Sequence, residues 1–186
     1  MLDCNAVVII PCKMDSKRLP RKNLSLIDNK TLLEHSILYA QKSKYTTHIV
    51  VSTESEEVKD ISRTYNVVVL DRPKNLLKDA DTVDVYVDAF RHYNFPDTTT
   101  HVVGLQPDNP DRNHSLDTIL EYFLTKKYDD LVTVGSDGTR NGSLRVIKAE
   151  YVSDDNVSRR VGTFLDDCTN IHSKEDLNLA RERMKK

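Results

Sequence analysis

The chain has 186 residues, 38% of them hydrophobic and 30% charged, with a formal net charge of -2. That length suits one domain, 1–186, with a good-sized core, and a near-neutral charge with few aromatics argues against a general nucleic-acid binder. The sequence shows no bilayer-spanning apolar stretch and no signal-peptide pattern, and its three cysteines, Cys4, Cys12 and Cys168, are too few and too scattered for a disulfide framework or a zinc knuckle; a soluble cytoplasmic protein with no membrane partner is expected.

In chain order, the run Ala6-Val7-Val8-Ile9-Ile10 predicts a buried strand. The loop that leaves it, 11–23, carries five cations: Lys13, Lys17, Arg18, Arg21 and Lys22. Leu33, Ile37 and Ala40 then fall on one helical face. A strand follows at 48–52, and Thr53-Glu54-Ser55-Glu56 reads as a capping box opening a helix near 54–64. After a strand at 67–70, Val83, Val87 and Phe90 share a helical face. The next strand is 101–105, and Leu116, Ile119, Leu120 and Phe123 mark the helix after it. Strands at 131–134, 144–148 and 161–165 bracket a polar surface excursion, 151–160. Ser173 with Asp176 starts a last helix that turns Leu177, Ala180 and Met184 inward. The strands are Val/Ile-rich and mostly lack alternation, as strands covered on both faces do. The β-α-β-α order predicts an α/β fold: a doubly wound, mainly parallel sheet with helices on both faces.

A cationic loop at the carboxyl end of an interior strand suits a polyphosphate. GxxxxGK[ST] and GxGxxG are both absent, and loop 11–23 has no glycine. Side-chain cations therefore carry the anion binding that backbone amides perform in glycine-rich loops, and lysine serves as a mobile point charge. Ser16 is either a phosphate donor or a turn residue. Pro20 stiffens the loop and holds Leu19 extended.

Ile10-Pro11-Cys12-Lys13 through Leu19-Pro20-Arg21-Lys22-Asn23 resembles the N-terminal signature of the sugar-acid cytidylyltransferases, the CMP-sialic acid, CMP-pseudaminic or legionaminic acid and CMP-Kdo synthetases. The similarity continues in register through Asn29-Lys30-Thr31-Leu32-Leu33, Val50-Val51-Ser52-Thr53-Glu54, Thr82-Val83-Asp84-Val85, Leu105-Gln106-Pro107-Asp108-Asn109-Pro110, Asn141-Gly142-Ser143-Leu144 and Asn170-Ile171-His172-Ser173-Lys174-Glu175-Asp176-Leu177.

The resemblance implies a nucleotidyltransferase that joins a hydroxyl of an acidic sugar, or of a related small anionic acceptor, to the α-phosphate of CTP and releases pyrophosphate. Catalysis is then positioning and charge neutralisation. By resemblance, Lys13 and Lys22 stabilise phosphate charge, and Asp108 holds the metal. Ser16, Lys17, Asn23 and Thr82 bind nucleotide, with helix capping as the other reading of Thr82. Gln106, Arg112 and Asn141 line the acceptor side, although Arg112 could instead pair with Asp111. Magnesium is the implied cofactor, with manganese as the alternative, and CTP and the acceptor are the partners.

The chain departs from the family pattern in three places. Asn170 and His172 stand where the sialic-acid type has a metal-binding D-x-D. This leaves three alternatives: Asp108 as the main carboxylate with His172 or a nearby carboxylate assisting, Asp166 and Asp167 entering from a shifted strand end, or a non-catalytic nucleotide- or sugar-binding relative. Met14-Asp15 replaces glycines and puts a negative charge into the phosphate loop. The region between about 129 and 166 is too short for the family's dimerisation arm, so a homodimer would be smaller, or absent.

Overall fold

The computed structural model describes residues 4–16, 18–77, 80–153, 158 and 160–185. Its main sheet has seven strands: β1 (Ala6–Pro11), β4 (Thr46–Thr53), β5 (Val68–Asp71), β6 (His101–Leu105), β7 (Asp130–Val134), β8 (Arg140–Lys148) and β9 (Val161–Leu165). They lie in the order β5-β4-β1-β6-β8-β7-β9. Only β8 runs against the others, pairing antiparallel with both β6 and β7. β2 (Leu26–Ile27) and β3 (Lys30–Thr31) form a separate hairpin. Its turn residues Asp28 and Asn29 both take positive φ, 47° and 61°, as a two-residue hairpin loop requires.

The helices divide between the two faces. α1 (Leu32–Gln41), α2 (Glu56–Thr64) and α4 (Leu116–Lys126) cover one, where Val8, Ile10, Val51, Val103 and Leu105 meet Leu33, Ile37, Val58, Ile119 and Phe123. α3 (Thr82–His92) and the short α5 (Glu150–Ser153) cover the other over Val7, Ile9, Val50 and Val102. α6 (Lys174–Met184) closes a third cluster with Ile27, Leu32 and Ile171. No helix among the described residues is long and apolar enough to cross a membrane.

Two expectations need correction. The N-cap of α2 is Ser55, whose side chain accepts from the Val58 amide; Thr53 belongs to β4, and its hydroxyl accepts from the Ser55 amide instead. True capping boxes open α1, through Thr31 and Glu34, and α6, through Ser173 and Asp176. In α3 the buried stripe is Val85, Tyr86 and Ala89, with Val87 and Phe90 flanking it. The excursion at 151–160 begins inside α5, and most of its remainder lies outside the described residues.

Gly104 sets how closely α3 approaches the sheet, because a Cβ there would overlap the Tyr86 ring. Gly104→Ala is expected to cost about 1–3 kcal/mol by overpacking, a fall of about 2–12 °C in Tm. Thermal unfolding checks this, and an unchanged Tm would mean that the ring can slide aside.

Candidate nucleotide site

A cavity of about 530 Å³ opens at the carboxyl ends of β1 and β6, where the chain crosses from one side of β1 to the other. Open α/β sheets bind ligands at such a switch point. Lys13, Ser16, Lys22, Asn23, Thr82, Gln106 and Asp108 all line it. Asp15 and Arg18 share the wall, and Leu76, Leu77 and Val85 supply an apolar side.

The loop after β1 is held by its own polar groups. The Met14 amide donates to Glu54 Oε1 at 2.8 Å. Asn23 is buried, and its Nδ2 donates to the Lys13 carbonyl at 3.0 Å. Ser16 Oγ accepts from the Leu19 amide at 3.4 Å, so it acts as a turn residue while facing the cavity. Arg21, at φ 56°, leads into a short 3-10 turn, Lys22–Leu24. Its guanidinium forks onto the exposed Glu57 at 2.6 and 2.8 Å and is absent from the cavity lining. Lys17 lies outside the described residues.

Lys22 and Asp108 form the centre of the site. Lys22 Nζ donates to Asp108 Oδ2 in a short ion pair and to the Ile171 carbonyl at 2.9 Å. Both side chains are largely buried, 14% and 10% exposed. The Asp108 carbonyl accepts from the Ile171 amide at 2.9 Å, which fixes the turn after β6. Asp108 Oδ1 is buried with no hydrogen-bond partner among the described residues. An unpaired buried carboxylate oxygen is costly unless something cationic meets it.

The sequence reading missed Arg72. It follows β5, is 6% exposed and lines the cavity, donating to the Ser52 carbonyl at 3.1 Å. Burial, opposed by the neighbouring Glu54 charge, lowers its pKa from the ordinary arginine value. Beneath the loop, burial pushes the Cys12 thiol up to about 12, against the pull of Arg72. The signal available in sequence was an arginine placed just after a strand and fixed by the following Pro73.

Other expected site residues are placed differently. Thr82 is the first residue of α3, and Asp81 holds the cap position, so Thr82 faces the cavity without capping. Arg112 does not line the cavity and does not pair with Asp111. Its Nη2 donates to the carbonyls of Gln106 at 2.5 Å and Ser143 at 3.2 Å. Asp111 is taken by Thr169 and Arg183. The Asn141 amide is also committed, accepting from Thr133 Oγ1 at 2.7 Å and donating to the Asp166 carbonyl at 2.7 Å. It fills a register shift between β7 and β8. Its motif reaches the site through Gly142, at φ 72°, where a Cβ would stand 3.2 Å from Gln106 Nε2.

His172 is not among the cavity residues. Arg18 Nη2 lies 2.9 Å from its Nδ1. A guanidinium only donates, so Nδ1 accepts and the proton of the neutral ring sits on Nε2. Burial, then the charges of Arg18 and Lys22, hold this imidazole below the ordinary 6.5. In this arrangement neither ring nitrogen offers a lone pair to a metal. Asp166 and Asp167 are likewise absent from the cavity lining: Asp166 accepts from the Asn113 amide and His114, Asp167 from Ser136.

No cluster of three or more His, Cys, Asp or Glu suited to a metal occurs among the described residues. Magnesium commonly takes one or two carboxylates and completes its shell with substrate phosphates and water. Asp108 Oδ1 fits that requirement, whereas a cage built wholly from protein ligands does not fit these residues.

The sheet order and the cavity at its switch point define an α/β nucleotidyltransferase fold. A family model described as cytidylyltransferase matches residues 7–163, and the chain belongs to that family. The chain is 34% identical over 109 residues to a CMP-N,N'-diacetyllegionaminic acid synthase of Legionella pneumophila, covering 57% of this chain and 47% of that protein. It is 30% identical over 138 residues to a 3-deoxy-manno-octulosonate cytidylyltransferase of Rickettsia typhi, covering 72% and 54%. The chain thus spans about half the length of these curated relatives. Among solved structures, a CMP:2-keto-3-deoxy-manno-octonic acid synthetase complexed with CTP superposes with a TM-score of 0.73 at 13% identity, covering 97% of this chain and 98% of that one. A cytidylyltransferase from Leptospira borgpetersenii gives a TM-score of 0.72 at 19% identity, covering 95% and 85%. At these identities the two structures speak to the fold alone.

Proposed function

We propose that the chain is a CTP-dependent cytidylyltransferase that activates a sugar acid, or a similar small anionic acceptor, as its CMP conjugate. The observation that carries this reading is the convergence of Lys13, Lys22, Arg72 and Asp108 on one cavity in a chain of this family. An acceptor hydroxyl oxygen forms a bond to the α-phosphorus and gives up its proton to water, and the bond from that phosphorus to the β-phosphate bridge breaks, releasing pyrophosphate. Lys13, Lys22 and Arg72 counter phosphate charge from fixed positions. Magnesium, or manganese, at Asp108 would add Lewis-acid charge neutralisation when bound. Thr82, Val85 and Leu77 suit the base, and Gln106 faces the acceptor. A cytoplasmic enzyme agrees with three buried free thiols. A small homodimer is the assembly to look for.

Calorimetric titration with CTP, UTP, ATP and GTP, each with magnesium, manganese or chelator, tests the reading whatever the acceptor is. Metal-dependent preference for CTP is the expected result, followed by pyrophosphate release with one of a panel of sugar acids. Binding indifferent to base and metal, with no release, would favour a non-catalytic relative. The commitment of His172 to Arg18 is the observation on that side.

A further inference from the structure

The geometry points to Arg112 as a positioning residue that clips the Asp108 turn shut and so holds Asp108 at the wall of the cavity. This inference rests on the functional reading above for its consequence, but its structural half stands separately. The chain leaves β6 at Gln106 and reaches Arg112 after carrying Asp108 past the cavity. The Arg112 guanidinium then returns to the root of the same turn. Its Nη2 donates to the Gln106 carbonyl at 2.5 Å and to the Ser143 carbonyl at 3.2 Å. The Ser143 carbonyl also accepts from the Gln106 amide at 3.1 Å, so one acceptor on β8 gathers both ends of the turn. The guanidinium lies over the Tyr39 ring, 5.0 Å from its centroid, and Tyr39 Oη donates to the His114 carbonyl at 2.9 Å just beyond the turn. No ion pair joins Arg112 to a carboxylate among the described residues, and its Nε is buried without a partner. A cation held on neutral carbonyls and an aromatic face is expensive to desolvate. Fixing a backbone turn gives that expense a purpose, and a flat guanidinium does it while stacking on Tyr39, which an ammonium cannot do. The far side of the turn is tied separately, through Asp111 to Thr169.

Arg112→Lys keeps the charge and most of the stem but shortens the reach of Nη2 and loses the stacking on Tyr39, so it separates a clip from a plain electrostatic role. Two measurements on the full chain decide the matter. In nucleotide-free protein, hydrogen exchange at the Gln106 and Ile171 amides is expected to quicken about tenfold or more in R112K, with the β1 and β4 amides unchanged. In calorimetry with CTP, affinity in chelator is expected within about twofold of wild type, while the gain on adding magnesium shrinks about 10-fold or more, as for lost support behind a metal ligand. Unchanged exchange at both amides overturns the clip. Faster exchange with the magnesium gain intact overturns its link to Asp108. If wild-type protein shows no magnesium-linked CTP binding at all, the functional reading fails, and the exchange comparison still decides the clip.

Discussion

With asparagine at position 108, CTP binding is expected to lose its dependence on magnesium, and turnover is expected to fall about 10²–10³-fold. The substitution removes the carboxylate charge, part of it on Oδ1, a buried oxygen with no hydrogen-bond partner among the described residues, while keeping the shape of the side chain. It also leaves Lys22 on neutral acceptors, the new amide oxygen and the Ile171 carbonyl. Calorimetry with CTP, with and without magnesium, reads the first effect directly. Magnesium that still tightens CTP binding in this variant would place the ligand elsewhere. Asp15 would be the next residue to test, because it lines the cavity and Asp166 and Asp167 do not.

Lys22→Ala is expected to lower turnover by a similar factor, about 10²–10³-fold, through loss of a fixed positive charge at the phosphates. Its stability cost, up to about 3 kcal/mol, arises because Asp108 is left as an unpaired buried carboxylate. The two effects can be separated. A divalent cation can replace the missing ammonium beside Asp108, so magnesium should raise the Tm of the variant more than that of the wild type. Equal Tm shifts in both proteins would show that metal does not reach Asp108, and wild-type turnover would remove Lys22 from the mechanism.

Much of the fold was legible because its strands are short Val/Ile runs with few polar interruptions. The start of β8 was not, since Asn141-Gly142-Ser143 is polar and bends through a bulge that only the pairing with β7 explains. The β2–β3 hairpin was missed because each strand is two residues long, although Asp28-Asn29 is a recognisable turn pair. In the site, Lys13, Lys22, Asn23, Gln106 and Asp108 were legible as motif positions that converge on one cavity. Arg112 and Asn141 lie outside the cavity lining, a placement that sequence does not show because it gives residue types, not which backbone groups lie nearby. Both spend their hydrogen-bonding groups inside the protein. Arg72 was overlooked for the opposite reason: a charged residue after an edge strand looks solvent-facing until the fold places it under the loop after β1.

The contact between Lys22 and the Ile171 carbonyl spans 149 residues of chain. Every strand of the main sheet is in place by Leu165, so a nascent chain that has emerged from the ribosome only that far contains the whole sheet yet lacks the group that anchors Lys22. The order of synthesis therefore delivers the sheet and the cavity residues first and the carbonyl that anchors Lys22 last.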